Sequence, residues 1–190
     1  AIWGVDDPSI LKWLDPPPSA AWGQAAGLLK DLGALDAHGR ATGHGRRMAG
    51  LPLHPRLAHM VLMAERHSLG DVACHLAAVL SERDFVKFPA GEYASDLRLR
   101  LDIMARQGQD PRVEAARFTV DRSACRRCLR VADALRLRLG LPHRQVLPRE
   151  VGRVLSWAYP DRIGQRRPGA SGRFKLANGR GAFFPLPETL

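Results

Sequence analysis

From Pro55 to Trp157 the apolar residues return every three or four positions almost without interruption. That period leaves a bundle of amphipathic helices as the architecture able to bury them. Leu57, Met60, Val61 and Ala64 write one helix face, and Val72, Leu76, Val79 and Leu80 write the next. Pro55 suits a first helical turn, where its missing N–H would have found no partner. Ser95 is expected to cap a third helix carrying Leu97, Leu101 and Met104. A long helix or helix pair from about Arg112 to Leu139 would bury Val113, Ala116, Val120, Ala124, Cys128, Val131, Leu135 and Leu139, with Gly140 ending it. A last helix offers Val151, Val154, Leu155 and Ala158.

Ahead of this bundle the pattern is different. Residues 1–15 read as a linker, with Trp3, Ile10, Leu11, Trp13 and Leu14 as apolar anchors, and Pro16 to Pro18 stiffen its exit. Ala21, Trp22, Ala25, Leu28, Leu29 and Leu32 then follow helical spacing, which predicts a helix over Ser19–Leu32 closed by Gly33. Leu35 to Thr42 reads as a hairpin around His38-Gly39, and Thr42 can cap a helical turn through Met48. Helices followed by a small hairpin suggest a winged-helix module. Strand patterning returns only after Pro160, in Arg173–Ala177 and Ala182–Phe184, joined by the tight-turn pair Asn178-Gly179. Two such strands cannot close a sheet and leave an exposed edge. Phe183 and Phe184 are expected to be core of that domain or of its interface with the bundle.

The chain carries 29 Lys and Arg against 19 Asp and Glu, a formal charge of +10. This excess favours nucleic acid over an anionic membrane surface. It is most concentrated between Tyr159 and Gly181, where Arg162, Arg166, Arg167, Arg173, Lys175 and Arg180 face Asp161 as the one opposing charge. Bends around Pro168-Gly169 and Asn178-Gly179 are expected to gather these cations on one surface, with Tyr159 and Phe174 as stacking faces. Arg122, Arg126 and Arg130 recur at i, i+4 and i+8, flanked by Arg127. They form either a basic ridge for phosphates or a solvated face partly neutralised by Asp121 and Asp133.

Three cysteines do not make a disulfide framework, and an odd count fits a reducing cytoplasm. Cys125-x-x-Cys128 has the spacing of half a zinc site, with Cys74 and His75 as the nearest candidates for a second half. Ordinary core or surface helix cysteines are the favoured reading of the pair, and we assign no metal ligand. No run of about 18 apolar residues is present to span a bilayer.

The run from Tyr159 to Gly181 resembles a signature in the C-terminal part of HrpB-type bacterial DEAH-box helicases. Three further stretches resemble the segment that follows the second motor domain of DEAH helicases. They are Leu14-Asp15-Pro16-Pro17-Pro18, Leu32-Gly33-Ala34-Leu35-Asp36 and Leu51-Pro52-Leu53-His54-Pro55-Arg56-Leu57-Ala58. The blocks stand in the family's order and span nearly the whole chain. Gly43-His44-Gly45 departs from it, standing where the family tends to have a less flexible segment.

The resemblance implies a mainly α fold: a linker from missing motor domains over 1–15, a winged-helix-like module over 16–52, a ratchet-like helical bundle over 53–158, and the first strands of an OB-like β domain, truncated, over 159–190. It implies an accessory segment that guides single-stranded nucleic acid, RNA rather than DNA, past motor domains in the same polypeptide. Arg162, Arg166, Arg167, Arg173 and Lys175 would contact the backbone or pair between domains, with Arg180, Arg126 and Arg130 as further contacts. The chain has no G-x-x-x-x-G-K-[ST] loop and no acidic DEAH-type box, so ATP and Mg²⁺ are expected only in the intact protein. The alternative is a free-standing winged-helix DNA-binding regulator, which would need a helix with polar residues ready for base edges.

Overall fold

A proline run sets where the first helix begins. Pro18 is extended and α1 (Ser19–Asp31) follows it directly, ending at Leu32 and Gly33 as the sequence predicts. No residue within α1 is buried, whereas Leu32 and Ala34 just beyond it enter the core. The computed structural model describes residues 2, 8–90, 92, 94–106, 118–143, 148–169 and 172–184. Trp3, Val113 and Ala116 lie outside them, as do residues 107–117, in which the long helix or helix pair was expected to start.

The chain then reverses through a one-bridge hairpin, Leu35 opposite Ala41. Gly39 takes the left-handed φ of +81° that the turn needs, and Asp36 accepts from the amides of His38 and Arg40, both at 2.9 Å. Thr42 fastens the hairpin to α2 (Gly43–Ala49). Its hydroxyl donates to the Gly33 carbonyl at 2.7 Å and accepts from the Gly45 amide at 2.9 Å as the helix N-cap. Gly43-His44-Gly45 is therefore not a slack joint. It is the first turn of a helix, and a Cβ on Gly45 would stand 2.1 Å from the Ala34 carbonyl oxygen. Glycine is required there because two backbones touch.

Two central helices, α3 (Pro55–Arg66) and α4 (Gly70–Ser81), carry the core. The expected faces are buried: Leu57, Met60, Val61 and Ala64 on α3, and Val72, Leu76 and Val79 on α4, with Leu80 half-buried. α4 packs on α3 and on α6 (Arg122–Arg138), while α3 also packs on α7 (Val151–Ala158) through Val151, Val154 and Ala158. Phe85, Met60, Leu62, Leu76, Leu101 and Met104 are at most 1% exposed. Each contributes about 1.5–3 kcal/mol by leaving water.

Two expectations shift at helix starts. α5 (Leu97–Ala105) is capped by Asp96, whose carboxylate accepts from the Arg98 amide, one residue after the expected Ser95. α6 begins only at Arg122, since Val120 belongs to β2 (Thr119–Val120), which pairs antiparallel with β1 (Val86–Lys87). Asp121 stops the strand and starts the helix by accepting from the amides of Ser123 and Ala124, each at 3.0 Å. The buried Arg100 ties these parts together. Its guanidinium donates to Asp84 at 2.7 Å and to the Ala94 carbonyl, and lies 5.7 Å from the Phe88 ring centroid.

Beyond α7 the expected two strands are three: β3 (Gly164–Arg166), β4 (Arg173–Leu176) and β5 (Gly181–Phe183), an antiparallel sheet in sequence order. β3 escapes sequence reading because Gly-Gln-Arg has no apolar alternation. None of its residues, nor any in β4 or β5, is fully buried.

Candidate nucleic-acid interface

Helix α6 presents the first cationic surface. Ala124, Cys125, Cys128, Ala132 and Leu135 turn into the core, which forces Arg122, Arg126 and Arg130 outward on the opposite side, with Arg127 beside them. The two carboxylates that were to neutralise this face are engaged elsewhere. Asp121 caps the helix, and the hydrogen bonds from Ala124 and Ser123 pull its pKa down to about 2. Asp133 pairs with Arg136 at 3.3 Å. Arg127 reaches the Ser123 hydroxyl at 3.4 Å. Among the described residues no carboxylate pairs with Arg122, Arg126 or Arg130.

The small sheet is the second surface, and strand parity decides what lies where. Register pairs Gln165 with Lys175, Arg166 with Phe174 and Arg173 with Phe183. Paired residues share a face and neighbours along a strand alternate. Gln165, Arg173, Lys175, Gly181 and Phe183 therefore share one face, and Arg167, whose amide donates to the Arg173 carbonyl at 3.0 Å, continues it. Arg166 lies on the other face with Phe174, Leu176 and Ala182. The expected single surface is thus two, with the adjacent Arg166 and Arg167 on opposite sides. Arg180 stands apart at the turn, its amide held by the Asn178 side chain at 3.0 Å.

The aromatic assignments also change. Phe174 meets Phe184 edge to face with centroids 5.5 Å apart, so its ring is already covered. Phe183, expected in a core or a domain interface, is 71% exposed. It lines a groove of about 390 Å³ with Arg167, Arg173, Phe174, Gly181 and Ala182. Tyr159 lies between two guanidiniums, Arg162 at 4.8 Å and Arg56 at 5.4 Å from its centroid. Arg162 thus packs at the junction of bundle and sheet.

That junction contains a latch that sequence reading missed. Arg56 at the start of α3 donates to both carboxylate oxygens of Asp161, at 2.7 and 3.2 Å, and to the Ala158 carbonyl at 2.9 Å. The Arg56 hydrogen bonds hold the Asp161 carboxyl below its ordinary pKa. Arg56 falls inside a quoted motif block, but 105 residues separate the partners and no local pattern links them. Asp161 in turn fixes the sheet, its carbonyl accepting from the Asn178 amide at 3.2 Å.

The three cysteines belong to the core. All three are buried, and desolvation raises Cys74 to about 12, Cys128 to about 11 and Cys125 above its ordinary value. Each remains a protonated core thiol. His75, the other zinc candidate, hydrogen-bonds the Asp71 carbonyl through Nδ1 at 2.8 Å. Among the described residues no cluster of His, Cys, Asp and Glu could hold a metal, and no described helix is long and apolar enough to cross a membrane.

The winged-helix model of the helicase-associated domain (HA2) matches residues 25–53, covering the end of α1, the hairpin and α2. The ATP-dependent RNA helicase HrpB of Escherichia coli is 31% identical over 99% of this chain, and the DExH-box ATP-dependent RNA helicase DExH2 of Arabidopsis thaliana is 35% identical over 42% of it. Two crystal structures of Escherichia coli HrpB, one titled a DExH-box NTPase and the other a DEAH/RHA helicase, superpose with TM-scores of 0.73 and 0.74 over 99% of the chain. The chain spans 20% of the length of HrpB and 5% of that of DExH2. With the HA2 winged-helix match at its start and a likeness to HrpB over 99% of its length, the chain is an HrpB-like segment.

Proposed function

We propose that this segment guides single-stranded nucleic acid, RNA rather than DNA, past the motor domains of an ATP-dependent helicase in the cytoplasm. ATP and Mg²⁺ would be held by those motors, which supply the hydrolysis. This segment supplies a surface along which the strand is held between power strokes. The observation that carries the reading is the ridge of Arg122, Arg126 and Arg130, outward on a rigid helix and without a carboxylate partner among the described residues. Guanidiniums recurring every fourth residue on a rigid helix meet successive phosphates without reading bases. That suits a translocating enzyme, which must release every sequence equally. The names of the HrpB and DExH2 relatives, both RNA helicases, favour RNA.

The test is the affinity of the 190-residue chain for a fluorescent oligouridine across a salt series, against the double variant Arg126→Ala/Arg130→Ala. Log affinity should fall linearly with log salt, and loss of two phosphate contacts should flatten that slope by about 1.4. A folded chain that fails to bind at low salt, or a variant with an unchanged slope, would remove the ridge from the strand's path.

A further inference from the structure

The sheet's open face combines features that a merely solvated surface does not require. Phe183 leaves 71% of its area in water although Ala182 and Phe184, its neighbours in sequence, are half-buried on the other side. Arg173 stands directly opposite it across the β4–β5 ladder, Arg167 extends the same row, and Lys175 follows one pair further along. Gly181 is the β5 residue on that face next to Phe183, and it adds no side chain beside the ring. No carboxylate lies on the face among the described residues, because Asp161 is held by Arg56. Arg167, Arg173, Gly181 and Phe183 line a groove of about 390 Å³, room for one heterocycle, which continues past the sheet edge to Phe174 and Ala182.

We infer that this face is a one-base subsite: an unpaired nucleobase stacks on Phe183 while Arg167 and Arg173 take the phosphates on either side of it. The inference rests on the proposed nucleic-acid role and gives it a second, chemically different contact. A ring flanked by cations fits a ligand that is planar and apolar in one part and anionic in the next. An apolar protein surface would meet three unneutralised charges here, and an acidic peptide would leave the ring uncovered. A duplex would keep its bases inside the stack. The other face cannot serve, since Phe174 is covered by Phe184 and Tyr159 is held between Arg56 and Arg162. Stacking on Phe183 adds affinity without sequence preference, because every base offers a π face.

The experiment compares oligouridine with an abasic strand of equal length and charge, using the whole chain and the variants Phe183→Ala and Phe183→Trp. The wild-type chain should prefer the base-bearing strand by roughly tenfold, the order expected for one base–aromatic stack. Phe183→Ala should erase that preference while leaving affinity for the abasic strand and its salt dependence unchanged, and Phe183→Trp should keep it. Position 183 lies outside the core, and an unchanged circular dichroism spectrum checks that each variant folds. If Phe183→Ala discriminates as well as wild type, the subsite is overturned while strand binding by the ridge stands. If the wild-type chain binds neither strand, the proposed role fails and the subsite falls with it.

Discussion

The helical body and the small sheet are held by opposite means. Among the described residues, every fully buried one lies between Leu32 and Ala158, where α3, α4, α6 and α7 press apolar faces together. The strands β3, β4 and β5 have none, and the sheet keeps its place through ladder hydrogen bonds, the Phe174–Phe184 contact and the Arg56–Asp161 latch. In these strands the cations and the Phe183 ring stay in solvent. The body supplies rigidity and the sheet supplies surface.

This contrast can be broken most forcefully in the body. Leu76→Ala, at a site with no exposure, should cost about 2–5 kcal/mol in chemical denaturation. A cost below about 1 kcal/mol would mean that α4 is not the centre of the core. Gly45→Ala comes next. Its Cβ must push Ala34 aside, and a loss of about 1–3 kcal/mol is expected from the forced backbone shift. Unchanged stability would show that the hairpin and α2 are not in contact as described.

Asp161→Asn should leave the body intact and loosen the sheet. Amide exchange over residues 164–183 should quicken, by about 1 kcal/mol of local opening, while α3 and α4 keep their protection. Equal acceleration in both regions would erase the distinction between them.

A milder effect is expected from acid. His44 Nε2 and His59 Nδ1 meet at 2.9 Å where α2 packs on α3, and burial, with Arg66 and Arg47 near His44 and with His44 and Arg66 near His59, lowers both imidazole pKa values. The folded state therefore favours two neutral rings. That stability is present above the unfolded imidazole pKa of about 6.5 and is lost as pH falls below it toward the depressed folded values. A denaturation midpoint that drops between pH 7 and 5.5, and drops less in His59→Gln, is the expected result. Smallest of all, Arg126→Ala should change stability by less than about 0.5 kcal/mol, as expected for a solvated helix position. A larger loss would make that arginine part of the scaffold.

What the sequence disclosed follows the range of the forces involved. Helix periods in α3, α4 and α7, the Thr42 cap and the hairpin around Gly39 depend on residues within a few positions of one another, and all are found. Val120 was expected within the long helix or helix pair because it fits a helical apolar pattern as well as a strand, and only its partner Val86 decides. The latch joins residues at opposite ends of the bundle, so no window contains both. Cation clustering was visible and its division was not, because β3 has too little apolar character to announce itself as a strand. Without β3 in place, the parity of Arg166 and Arg167 has no meaning.

The alternation in β3 imposes a rule on how this surface can change over generations. A substitution at Arg166 or Arg167 alters one side of the sheet at a time. Insertion or deletion of a single residue within Gly164–Arg166 would instead exchange the two sides, carrying Arg166 to the face of Phe183 and Arg167 away from it, with composition and net charge almost untouched. Length variation should therefore collect in the turn around Pro168-Gly169, where the count of residues does not set orientation, and spare the three residues before it.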